Sequence, residues 1–234
     1  MLTSPSATDV LITPVALISD RQLLLESGFQ NRYDLPELDK GYVAMGYRMG
    51  AFSVGLGYSQ FGKATYYSEK IARASFGFYY GVFAIGINGS GKEIEIGEGY
   101  GKYRANSLGF SAGLHYDDYH LAVVGDNLNK PSLADEAAVE PALWNVFAEV
   151  KGSKAFSICG RISFKTNNKP SAAISQYIYL KGKNAIFWGV SGNPLKYGGG
   201  MEISYRGFIL GYAAEYHPVL GLIHNISIGM AWKH

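Results

Sequence analysis

The chain has 234 residues with 21 Lys+Arg against 19 Asp+Glu; it is 47% hydrophobic and 17% charged, and it carries 30 Gly, 18 Tyr and a single Cys. This apolar content excludes a disordered chain, and so much glycine excludes a helical bundle, where each interior Gly costs about 1 kcal/mol relative to Ala. Cys159 alone excludes an internal disulfide framework or a cysteine zinc site, and a net charge of +2 gives no reason to expect a nucleic-acid partner.

In chain order, Met1 to Val10 show no basic segment followed by an apolar core, so no signal peptide is visible in this numbering. Asp9-Val10-Leu11-Ile12 with Thr13-Pro14 is too short and broken for a strand pair, yet too apolar for a solvated tail. Residues 1–20 are therefore set apart as an N-terminal segment. Its residues from about 5 to 18, Thr13 and Pro14 among them, are expected to plug a lumen, and 21–234 form the main domain. From there, segments with period-two alternation are separated by turn chemistry. Strands are predicted near 21–30, 40–49, 51–61, 69–79, 82–90, 105–116, 119–126, 142–151, 155–165, 171–180, 184–191, 197–205, 208–216 and 222–233. The Lys/Glu-rich stretches 61–73 and 92–104 read as solvated loops. Ala74–Gly91 and Tyr216–Trp232 lack Asp, Glu, Lys and Arg, but their Gly, Asn88, Ser90 and Pro218 speak for hairpins rather than a spanning helix.

Tight links such as Met49-Gly50, Tyr80-Gly81 and Arg206-Gly207 make an all-β antiparallel meander of about 14 strands. So large a sheet must close or split into two layers. Leu108, Phe110, Leu114 and Tyr116 alternate with Ser107, Gly109, Ser111 and His115, and the same scheme recurs at 155–165 and 225–232. One face is large and apolar, the other small and polar. That alternation fits a closed up-and-down transmembrane barrel with a polar lumen better than a soluble lipocalin-like carrier or sandwich. Phe110, Ile158, Ile228 and Trp232 are assigned to the lipid face. Glu149, Arg161, Lys165, Glu202 and Glu215 are assigned to the lumen, where a charge needs a partner or water. Mutual pairing, or pairing with the plug, is the plain reading of these five; ligand contact or pore selectivity is the other. Tyr47, Tyr58, Tyr116, Tyr205, Tyr216 and Trp232 suit interfacial girdles.

Three motifs hint at chemistry. Gly109-Phe110-Ser111-Ala112-Gly113 matches G-x-S-x-G with His115 four residues on, but it lies inside an alternating strand instead of at the sharp turn a nucleophile needs. Gly86 to Lys92 mimics a phosphate-binding loop, yet Glu93 stands where Ser or Thr is required; it reads as a plain loop. His115, His120, His217, His224 and His234 show no compact ligand spacing, so neither metal nor cofactor is expected.

From Ser107 to Trp232 the chain resembles the PorV/PorQ-like group of bacterial outer-membrane proteins, related to the FadL-type transporters of hydrophobic compounds. The resemblance rests on Asp126-Asn127-Leu128-Asn129-Lys130-Pro131 with Glu140-Pro141, on Ser191-Gly192-Asn193-Pro194 with Gly198-Gly199-Gly200, on Arg206-Gly207-Phe208 with Tyr212-Ala213, and on His217-Pro218-Val219-Leu220-Gly221-Leu222-Ile223-His224. Thr13-Pro14-Val15-Ala16-Leu17 is similar to its N-terminal signature, with departures at Thr13 and Ala16. The resemblance implies a fourteen-strand barrel in the outer membrane, an N-terminal segment in the lumen and no catalysis. Two roles follow: docking for a secretion or cell-surface assembly, or passage of small hydrophobic compounds. The expected partners are membrane lipid, envelope or secretion proteins and a hydrophobic small molecule. Little loop material for a ligand gate ranks docking first; an outer-membrane lipid hydrolase acting through Ser111 ranks last.

Overall fold

The computed structural model describes residues 23–97, 101–132, 139–153, 155–166, 168–180 and 184–232. Fourteen antiparallel strands close into one barrel. They are β1 (Leu23–Arg32), β2 (Lys40–Met49), β3 (Phe52–Lys63), β4 (Tyr67–Tyr80), β5 (Phe83–Ile96), β6 (Gly101–Tyr116), β7 (Tyr119–Asp126), β8 (Leu143–Ser153), β9 (Phe156–Lys165), β10 (Ser171–Tyr179), β11 (Ala185–Ser191), β12 (Lys196–Tyr205), β13 (Phe208–His217) and β14 (Gly221–Trp232). Each pairs with its sequence neighbours, and β14 returns to β1 in a ladder from Leu23↔Trp232 to Arg32↔Ile223. The expected plug, Thr13 and Pro14 included, lies outside the described residues.

The two ends differ. At the end holding Leu23 and Trp232, several strands are joined by two-residue links, among them Gly81-Val82 and Arg206-Gly207. Arg206 (φ 48) and Gly207 (φ 92) both take left-handed backbone, the geometry of a type I′ hairpin turn whose twist matches the flanking strands. The opposite end carries the longer connections, including 33–39 with its 3₁₀ turn Pro36–Leu38 and the longest one, 127–142.

Side chains alternate between two environments along every strand. On β6, Phe110 is 42% exposed and its neighbour Ser111 is 0% exposed. Inward positions are small or polar (Ser53, Ser75, Asn88, Ser107, Ser157 and Ser175 are all buried), while Phe52, Phe76, Ile87, Leu108, Ile158 and Ile174 stand exposed outside. A buried apolar cluster of Leu24, Ala44, Tyr79, Ala84, Ala122, Val124 and Phe147 lies inside. An outer surface this apolar over its whole circumference is what a bilayer covers. Exposed Tyr47, Phe52, Tyr80, Phe83, Tyr116, Tyr119, Tyr205, Phe208 and Trp232 ring the terminus-bearing end. Tyr58, Trp144, Phe164 and Tyr197 are exposed nearer the other.

The expectation that 61–73 and 92–104 are loops is wrong: most of both stretches is strand, and Gly86–Lys92 likewise lies within β5. The physical reason is a reversal of polarity at the upper end of β4–β6. There the outward positions are charged and pair across strands: Lys70–Glu93 at 3.8 Å, Lys70–Glu95 at 3.9 Å, Lys102–Glu95 at 3.1 Å and Arg104–Glu93 at 2.7 Å. Ile94 and Ile96 alternate with those acids and take the opposite face. An apolar-out rule mistakes such residues for a solvated loop, whereas they are strands continuing beyond the apolar belt.

Trp232 tests the outward assignment. Trp232→Asp should lower the fraction of heat-modifiable, folded barrel recovered in detergent or vesicles, while Trp232→Phe keeps it, because an acid facing lipid at interfacial depth costs on the order of 1 kcal/mol. Equal recovery of the two would mean that Trp232 does not meet lipid.

Candidate functional site

The inner wall holds two cavities that meet at Gln30 and Asn225, paired residues on β1 and β14. The first, of about 260 Å³, follows β8–β14 and is bounded by Phe147, Cys159, Ala173, Phe187, Ile223 and other residues, with Arg161, Lys196 and Glu215 as its charges. Small residues create this space. The Phe187 ring stacks on Tyr177 with centroids 4.9 Å apart, and a Cβ at Gly200 would stand 2.6 Å from Phe187 Cζ, so glycine there leaves the ring its place. The second cavity, of about 340 Å³, follows β1–β4 and is bounded by Lys40, Tyr42, Ser59, Ile71 and Arg73 beside the shared pair.

The five charges assigned to the lumen are spread around β8, β9, β12 and β13. Arg161 and Glu215 line the first cavity, Glu149 is buried at 5% exposure, Glu202 is half-buried, and Lys165 is exposed at the end of β9. Glu215 accepts from Lys196 Nζ at 2.9 Å, a partner that the sequence reading did not single out. Arg161 has no hydrogen bond or ion pair among the described residues. Phe110, Ile158, Ile228 and Trp232 are all exposed.

A further inward set escaped the sequence reading. Lys92 on β5 reaches Glu69 on β4 at 2.9 Å and Glu140 in the 127–142 connection at 2.7 Å. Asn127 Nδ2 donates to the other Glu140 oxygen at 3.3 Å, and Glu140 N donates to Pro131 O at 2.8 Å. The same connection is sewn to β6: Leu128 N donates to Leu108 O at 2.9 Å, Asn129 Oδ1 accepts from Leu108 N at 2.9 Å, and Asn129 Nδ2 donates to Asn106 O at 2.9 Å. One asparagine side chain thus pairs β6 beyond the last β7 residue. On β4, Arg73 lies 3.8 Å from Asp126. Parity with Ser75 and Gly77 was the signal that could have placed Arg73 inside, had 61–73 not been taken as a loop.

Ser111 of the G-x-S-x-G run sits mid-strand, fully buried, and its Oγ has no hydrogen-bond partner among the described residues. His115 stacks on His120 across the hairpin, with ring centroids 3.7 Å apart and their Nδ1 atoms in contact. Among the described residues no three His, Cys, Asp or Glu converge as metal ligands.

No protein-family model matches the chain, and no curated protein matches it either. Solved structures do resemble it. The Acinetobacter baumannii outer membrane protein Omp33 superposes with a TM-score of 0.60 at 8% identity, covering 91% of this chain and 98% of that one. Two engineered variants of the Rh. blastica porin reach 0.50 at 12% identity, over 90% of this chain and 99% of theirs. At such identities the likeness is one of fold: this chain has the closed-barrel architecture of outer-membrane proteins.

Lys92→Met removes both ion pairs and leaves Glu69 and Glu140 without their shared cation. The docked connection should loosen by about 1–3 kcal/mol, read as faster hydrogen exchange at the Leu128 and Glu140 amides in a barrel that remains closed. Unchanged exchange at both would show that Lys92 does not hold the connection.

Proposed function

We propose that the chain is a non-enzymatic outer-membrane barrel through which small, largely apolar solutes pass, held on the way by the cavity along β8–β14. The observation that carries this is the cavity wall itself: Phe147, Ala173, Phe187 and Ile223 offer an apolar surface, with Arg161, Lys196 and Glu215 as the charged groups set among them. Binding sites for small molecules combine these features. The barrel architecture shared with Omp33 and the apolar outer belt support the location, with Phe110, Ile158, Ile228 and Trp232 meeting lipid.

Docking to a secretion or surface assembly, ranked first from the sequence for want of loop material to build a ligand gate, has less behind it. Between the described strands most connections are short, and Glu140 in the longest of them is bound inward to Lys92. A hydrolase reading has least: a nucleophile must meet its base within hydrogen-bond reach, and Ser111 meets none among the described residues.

Ala173→Trp places a large ring in the cavity. It should slow uptake of an uncharged small apolar solute into proteoliposomes several-fold while heat-modifiable folding is retained; uptake at the unsubstituted rate would contradict passage along this wall. Ser111→Ala should leave hydrolysis of a short acyl ester at the buffer rate, as in the unsubstituted protein. Any Ser111-dependent turnover would overturn the non-enzymatic reading.

A further inference from the structure

We propose that Lys40 and Arg73, with Arg32 bound to the neighbouring Gln30, form a binding site for a small soluble oxyanion, a phosphate or a carboxylate, in the cavity along β1–β4 at the loop-bearing end. It rests on a surplus of positive charge that the described residues do not neutralise. Lys40 opens β2, half-buried, between Gln30 on β1 and Phe61 on β3. It makes no hydrogen bond or ion pair among the described residues. Among the described residues Arg32 and Arg73 act on it with like charge and Glu69 with opposite charge. That acid is taken: Glu69 is bound by Lys92 at 2.9 Å and accepts from the Tyr67 hydroxyl at 3.2 Å. Nor are the neighbouring cations well satisfied. Arg32 donates from Nε to Gln30 Oε1 at 2.7 Å and holds its guanidinium over the Phe61 ring at 5.1 Å, neither contact bringing negative charge. Among the described residues Arg73 has only Asp126, at 3.8 Å.

Three cations drawn together in a partly desolvated wall repel one another, and such an arrangement is costly unless an anion joins it. The cavity of about 340 Å³ that Lys40 and Arg73 line has room for one. Its other polar walls suit an oxyanion's remaining oxygens: Ser59 supplies a hydroxyl, and Gln30 and Asn225 supply amides. Guanidinium and ammonium groups bind phosphate and carboxylate through short charge-assisted hydrogen bonds. Because the cavity faces the lumen and not the outer belt, the ligand is a soluble anion and not a lipid headgroup. The shared residues Gln30 and Asn225 place this site next to the apolar cavity, so one solute could offer its charge here and its apolar part there.

The test is calorimetric titration of the purified, folded barrel in detergent with inorganic phosphate, and separately with acetate, at constant ionic strength set by chloride. Saturable binding of at least one of them is expected. It should weaken at least tenfold in Lys40→Met and in Arg73→Gln and be retained in Lys40→Arg, while Arg161→Gln in the other cavity leaves it unchanged. Which anion binds more tightly assigns the ligand class. No saturable binding of either, or equal binding by Lys40→Met and Arg73→Gln barrels that remain heat-modifiable, overturns the proposal. Proteoliposome uptake of an uncharged solute does not depend on these charges. In the unsubstituted barrel, uptake without saturable anion binding therefore sinks this site alone, and anion binding without uptake sinks only the passage reading.

Discussion

Everything in this molecule depends on the need to pair each backbone N–H and C=O where water is absent. In hydrocarbon an unpaired group costs several kcal/mol, which leaves closed barrels as the only β structures that can be immersed in it. Closure of β14 on β1 meets that need. Once the sheet is closed, alternate residues are forced onto two unlike surfaces, and the composition follows: aromatic and branched residues outside, Ser, Gly and Ala within. The same need explains Asn129. Where β7 ends and β6 goes on, a side chain completes the pairing that the neighbouring backbone no longer supplies.

A wall of small residues has a second effect, because it sets how much room the long inward side chains have. Where glycine or alanine faces the lumen, aromatic rings such as Phe187 lie back against the wall and leave a hollow. Where long cations project from neighbouring strands, as at Arg32, Lys40 and Arg73, the hollow is polar. The chemistry of each sector of the lumen is thus decided by two or three neighbouring strands, since residues level with one another on adjacent strands share a patch of wall. Charges around the circumference therefore act in groups, as in the Lys92–Glu69–Glu140 set, and less as a uniform lining.

Most of the architecture was legible in the sequence because one rule, apolar out and small in, governs the strands from Leu23 to Trp232. The rule broke where its physical cause stopped. Above the apolar belt, outward Glu93 and Glu95 are selected for water and for their cations, and the ladder continues under the opposite pattern. The inward charges were only partly legible. Parity alone singled out Arg161 and Glu215, both in the cavity wall. The pairing of Glu215 with Lys196 depends on the register between β12 and β13, which sequence periodicity does not supply. Arg73 fell in the stretch 61–73 read as a loop, whereas Lys40, the first residue of the predicted strand 40–49, was assigned to neither face.

The strands are also unequal in length: β6 runs for 16 residues and β11 for 7. On the β4–β6 side the charged ladder rises past the apolar belt, whereas β10 and β11 end with it. The described strands therefore end in a rim like the lip of a jug, high over one sector and low over the sector beside the apolar cavity.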